Sequence, residues 1–198
     1  MPRAGIVIGM DPGLATFGLV AVLTTGTEHK LLGHHTFESS KSDTGVTIDM
    51  VRRAGELREF LDSKIRRYAA RMDGDIVGIA AEAISYPRGS RPIALISIAW
   101  GVISSVLAEH RMTARLVAGQ PSAVRVAVAG GPRRAATSTK PQETKEEFRW
   151  RARTCAIARV EDARLMPQTG KRSAHAMDAL VCAVWSLDTP TVKAGLFR

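Results

Sequence analysis

Cysteine is scarce in this chain of 198 residues, which has only Cys155 and Cys182. Two thiols cannot build the disulfide framework of a small secreted domain. Both fall in helical patterns among apolar neighbours, where buried thiols are expected. The N-terminus shows neither a long apolar run nor a convincing leader cleavage site. The uncharged stretch from Pro92 to Ala108 falls short of the roughly 20 residues a membrane span needs, and it contains three serines. A soluble, intracellular chain with no membrane partner is expected. Negative charge is also short: 19 acidic residues face 28 Lys and Arg, a formal charge of +9. That imbalance suits a polyanionic partner, most simply nucleic acid, although a basic surface kept for solubility would look the same. Internal repeats and domain linkers are missing too. At 45 % hydrophobic residues the chain is globular and large enough for a full core. We read one domain over residues 1–188 and a C-terminal tail over 189–198.

What is there has a clear order. Residues 5–11 form an apolar run stopped by Asp11-Pro12-Gly13 and read as a buried strand. Residues 17–24 and about 30–37 read as two more strands, giving an antiparallel meander. A long helix follows at about 45–71, with Met50, Ala54, Leu57, Leu61, Ile65 and Tyr68 as its apolar stripe and Arg52, Arg53, Glu56, Glu59 and Asp62 off it. A fourth strand is expected at 75–82, a helix at about 90–110, a fifth strand at 113–118 and a short helix from Pro121. Residues 130–141 read as a loop, and helices follow at about 141–159 and 172–187. Three sequential strands, a helix, then alternating strands and helices define an α/β fold. It is a mixed five-stranded sheet, three strands antiparallel and then parallel ones, flanked by helices.

The chemistry concentrates in four residues: Asp11, Glu82, His175 and Asp178. Asp11 ends the first strand, and Gly13 and Gly18 leave room nearby for a backbone or a phosphate. By itself Asp-Pro-Gly is also a common turn. Glu82 ends the otherwise apolar fourth strand, where a carboxylate is either at a wet rim or buried with a partner. If strands one and four are neighbours, Asp11 and Glu82 lie side by side and repel, which calls for a cation between them. His175 and Asp178, three apart, share one helix face, while Met177, Leu180, Val181, Val184 and Trp185 supply the core contact. Alone, such a pair is often a plain surface pair. Three carboxylates and an imidazole at element ends together look like a metal cage, and metals in such cages often do chemistry on phosphate.

The 90–110 helix is apolar nearly all round. Ile93, Ile96, Trp100, Ile103 and Leu107 make one stripe, Leu95, Ile98, Val102 and Val106 a second, and Ala94, Ser97, Gly101, Ser105 and Ala108 a third of small residues. Such a helix must be covered on more than one side. The sheet covers one side; another helix of the chain or a second subunit covers the rest.

These residues resemble the RuvC family of Holliday junction resolvases, of the ribonuclease H-like superfamily. The segment Met10-Asp11-Pro12-Gly13-Leu14-Ala15-Thr16-Phe17-Gly18 is similar to that family's first motif, Ala81-Glu82-Ala83 to its second acidic motif, and His175-Ala176-Met177-Asp178-Ala179-Leu180 to its C-terminal motif. The likeness runs from about residue 5 to 187. It implies a cytoplasmic, bacterial or virus-encoded homodimer that cuts four-way DNA junctions by paired, metal-dependent nicks in recombination and repair. Asp11, Glu82, His175 and Asp178 would hold two divalent ions, Mg2+ or Mn2+, and no nucleotide cofactor. His175 would be a ligand or would orient water, and because manganese accepts imidazole readily it should serve at least as well as magnesium. The resemblance also matches Lys145 to a catalytic lysine that stabilises the charged transition state. It lays the basic segment Arg133 to Arg153 along DNA, with Arg88, Arg91, Arg133, Arg134, Lys140, Lys145 and Tyr86 as DNA contacts. It places Ile93, Ile96, Ser97, Trp100, Gly101, Ile103 and Leu107 at the dimer interface. Many family members carry an acid where His175 stands. The aromatic wedge expected after the second acid has Ser85 and Tyr86 at its places. A fork or flap nuclease of a virus, an inactive junction-binding protein, a nuclease acting on RNA and a sugar-kinase or chaperone-type ATPase are the competing readings.

Overall fold

The computed structural model describes residues 3–43, 45–71, 74–84, 90–137, 141–167 and 170–197; the side chains of residues 90–92, 171 and 172 lie outside the description. The strands are β1 (Gly5–Asp11), β2 (Thr16–Thr24), β3 (His29–Glu38), β4 (Asp75–Glu82) and β5 (Leu116–Gly119). The helices are α1 (Val46–Ala69), α2 (Ser90–Glu109), α3 (Pro121–Val128), α4 (Lys145–Arg159), α5 (Lys171–Ser186) and α6 (Pro190–Leu196). The five strands form one sheet in the order β3-β2-β1-β4-β5. β1 pairs antiparallel with β2 and β2 with β3, whereas β1 with β4 and β4 with β5 are parallel. This is the mixed sheet that the sequence predicts.

Alternation along the strands sorts the core into two layers. Ile6, Ile8 and Met10 of β1 and Ile79 and Ala81 of β4 face α1 and α2. Val7 of β1 and Ala80 of β4 face the other way, toward α3, α4, α5 and α6. Asp11 and Glu82 continue that second set, so both carboxylates emerge on the α5 side. The parallel register Met10↔Ala81 brings them to the same end of neighbouring strands.

The helix α5 lies directly on the strands because two glycines let it. A methyl group at Gly9 would overlap the Ala179 carbonyl oxygen, and one at Gly18 the His175 carbonyl oxygen. Gly18 therefore makes room for the backbone that carries His175.

Four local expectations change. Residues 113–115 form a 3₁₀ turn, and the fifth strand is Leu116–Gly119. The helix expected from 141 starts at Lys145, because Thr144 and Glu147 close a reciprocal capping box. Arg53 is not off the inner stripe: it is 5 % exposed and lies 3.6 Å from Asp49. Its Nε donates to Ser39 Oγ, which donates to the Leu14 carbonyl. The expected tail contains α6, whose Val192 and Leu196 are buried beside β4 and β1. Among the described residues no helix is long and apolar enough to cross a membrane.

Candidate active site

Asp11 and Glu82 come from strand ends, and His175 and Asp178 from the first turns of α5. His175 Nδ1 lies 2.5 Å from Asp11 Oδ2, with the two side chains 37 % and 14 % exposed. With Asp11 ionised, Nδ1–H donates, and Nε2 is the nitrogen left for other partners. The Asp11 contact is the main cause that raises the His175 pKa. Burial raises the Asp11 pKa; the bond to His175 opposes this and the Asp178 charge adds to it. Glu82 is pushed up to about 7, first by burial and then by the Asp11 charge, with Arg125 acting in the opposite direction. The carboxylates therefore feel one another across a poorly hydrated space.

Three arginines surround them. Arg125 of α3 donates from Nη2 to Glu82 Oε1 at 2.6 Å. Arg153 of α4 donates from Nε to Asp178 Oδ1 at 2.9 Å and from Nη2 to the Ala174 carbonyl at 3.0 Å. Arg149 Nε lies 3.3 Å from Asp178 Oδ2. Lys145, Arg149 and Arg153 are spaced i, i+4, i+8 and so line one side of α4. The roles of the three arginines as carboxylate partners are missed in the sequence reading. The four-residue spacing on α4 was the available signal, while Arg125 lies outside the Arg133–Arg153 segment.

A cavity of about 480 Å³ opens beside the carboxylates, lined in part by Gln120, Arg125, Arg133, Lys145, Glu146 and Arg149. Lys145 and Arg133 are thus brought together next to the site. Arg133 is oriented by the Glu143 carbonyl, to which its Nε and Nη2 donate. The Glu143 carboxylate is held by Arg151 and pulled down to about 2. The side chain of Arg134 is exposed, and its backbone N–H donates to Glu143. Tyr86, Arg88 and Lys140 lie outside the described residues, as does the side chain of Arg91. On α2, Ile93, Ile96 and Trp100 are half-buried and Ser97 and Gly101 exposed. Ile103 and Leu107 are fully buried against the sheet and α1, so they belong to the core and not to an interface.

Among the described residues, no three His, Cys, Asp or Glu side chains already converge as a ligand cluster. The donor set nevertheless fits a divalent cation: Asp11, Glu82, whose proton affinity the Asp11 charge raises, and an imidazole, with the Asp178 charge acting on both carboxylates.

Fold and site together define a ribonuclease H-like α/β domain with an acidic and imidazole centre at the end of its sheet. Within that class the chain shares the fold of RuvC. It is similar to Thermus thermophilus RuvC solved with a Holliday junction substrate, at TM-score 0.66 and 21 % identity over 91 % of this chain and 92 % of the other. A second T. thermophilus RuvC structure gives TM-score 0.62 and 20 % identity, with 91 % and 92 % covered. The yeast mitochondrial Holliday junction resolvase Ydc2 gives TM-score 0.61 and 12 % identity over 98 % and 84 %. No family model and no curated protein matches the chain.

Proposed function

We propose that the chain is a metal-dependent, structure-selective DNA endonuclease of the RuvC type, which resolves four-way junctions by paired nicks as a homodimer. What supports this reading is the Asp11–His175 contact, with Glu82 and Asp178 close enough to act electrostatically on the same sheet end, beside a basic cavity, in a fold similar to that of junction resolvases. These four residues would hold Mg2+ or Mn2+, two ions per site. Bound there, the metal would activate water and stabilise the leaving oxygen of a phosphodiester. The rest falls to the chain itself. Asp11 fixes the His175 ring through Nδ1 and leaves Nε2 for a ligand or water. Lys145, Arg133 and Arg149 would seat the backbone phosphates, and Lys145 would counter charge developing on the attacked phosphate. The exposed small residues of α2 would meet a second copy.

One observation favours a second reading. Arg125, Arg149 and Arg153 already neutralise Glu82 and Asp178, as they would in a protein that binds junctions without cutting them. Cleavage of a synthetic four-way junction by wild type and Asp11→Asn, with Mg2+ or Mn2+, decides. Symmetric nicks by wild type, with binding but no nicks by the variant, are expected. Binding without cleavage by both proteins would establish the second reading, and cleavage by both would discard this site.

A further inference from the structure

Arg125 stands between two places. It lies against Glu82 with only 17 % of its side chain exposed, and Glu82 itself is 12 % exposed. The same side chain lines the cavity shared with Arg133, Lys145 and Arg149, where Glu146 is the one carboxylate among the described lining residues. A carboxylate so covered is costly without a cation, and Arg125 supplies one. A guanidinium fork fits a phosphate as well as a carboxylate.

We propose that Arg125 is a two-position side chain, holding Glu82 in the free protein and turning to a backbone phosphate in the adjacent cavity when nucleic acid binds, which releases Glu82 to the metal. The proposal rests on the metal-nuclease reading and adds regulation to it. A metal and Arg125 compete for Glu82, so an empty enzyme binds metal poorly. A phosphate competes with Glu82 for Arg125, so nucleic acid and metal assist each other. By linkage that assistance is reciprocal, and couplings of this kind amount to about 5- to 150-fold.

The test uses the full chain and needs no turnover. Mn2+ binding is measured by calorimetry, without DNA, on wild type and Arg125→Met, with thermal melts to confirm folding. Four-way-junction affinity is then measured by fluorescence anisotropy with and without Ca2+, an oxygen-seeking ion. The expected result is Mn2+ binding roughly tenfold tighter in Arg125→Met, and a Ca2+-induced gain in junction affinity of about tenfold in wild type but about twofold or less in the variant. If Arg125→Met does not fold, Arg125→Lys keeps the charge but loses the fork, and should tighten Mn2+ binding about threefold. Unchanged or weaker Mn2+ binding in the folded variant, or a Ca2+ response equal to wild type, overturns the proposal alone. No Mn2+ binding by wild type and Arg125→Met alike, with no Ca2+ effect on junction affinity in either, overturns the metal reading and this proposal together.

Discussion

At the scale of single residues, burial sets which groups can carry charge. His35 shows this away from the candidate site. Its Nε2 lies 2.9 Å from Tyr68 Oη, and its pKa is lowered to about 4, first by burial and then by Lys64 and Arg67. A histidine with a depressed folded-state pKa contributes stability above its unfolded value, near 6.5, and loses it as pH falls through the folded value. The window is therefore from about pH 6.5 down to about 4. Asp49 and Glu143, each held near 2 by a guanidinium before any other cause, lose their contributions at lower pH. Urea midpoints should fall from neutral pH to pH 4 in wild type and fall less in His35→Gln. Equal slopes in that window would remove His35 from the account.

At the scale of elements, close approach matters more than propensity. Gly18→Ala places a methyl against the His175 carbonyl, and backbone cannot step aside as a side chain can. The helix α5 must then lift from β2 and carry His175 away from Asp11. The expected cost is about 3 kcal/mol, the upper part of the usual overpacking range, read as a lower urea midpoint. A midpoint within error of wild type would mean that α5 is not seated this tightly. The same elements show what the sequence can and cannot reveal. The runs Ile6–Ile8 and Ile76–Ala81 announce buried strands, and Asp11 and Glu82 are legible because a carboxylate ending such a run needs a reason. The helix α6 reads as tail in the sequence because seven residues carry little periodicity. Its place comes from Val192 and Leu196 filling space beside Gly78 and Gly5, a tertiary cause, although Thr189-Pro190 is a recognisable helix start. Charge usually marks the wet side of a helix, so from sequence Arg53 reads as outward and Arg153 as DNA-facing. Only the fold shows that each has a carboxylate to meet inside.

At the scale of the whole molecule, the open question is what meets the outer face of α2. Ala94, Ser97, Gly101, Ser105 and Ala108 are exposed along it, and Val46, Ile48 and Val51 of α1 are exposed large hydrophobics. Val46 and Ala94 line the same cavity, so the two faces adjoin. Small side chains on an outward helix face gain little in water, and glycine within a helix costs about 1 kcal/mol relative to alanine. The cost is offset if a second helix packs closely there. Among the described residues nothing lies within 4 Å of where a side chain at Gly101 would start, so the monomer has room there for a long side chain. Gly101→Arg should thus leave the fold intact, or stabilise it slightly through helix propensity, while blocking a symmetric contact in which each copy meets the same face of the other. Sedimentation should show a dimer for wild type and a monomer for Gly101→Arg, with melting temperatures equal or higher in the variant. On the proposed function each subunit of a dimer would carry one site, so the variant should make unpaired nicks in a four-way junction where wild type should make symmetric pairs. A Gly101→Arg protein that still sediments as a dimer would move the interface elsewhere, and paired nicks from a monomer would separate symmetric cleavage from this face altogether.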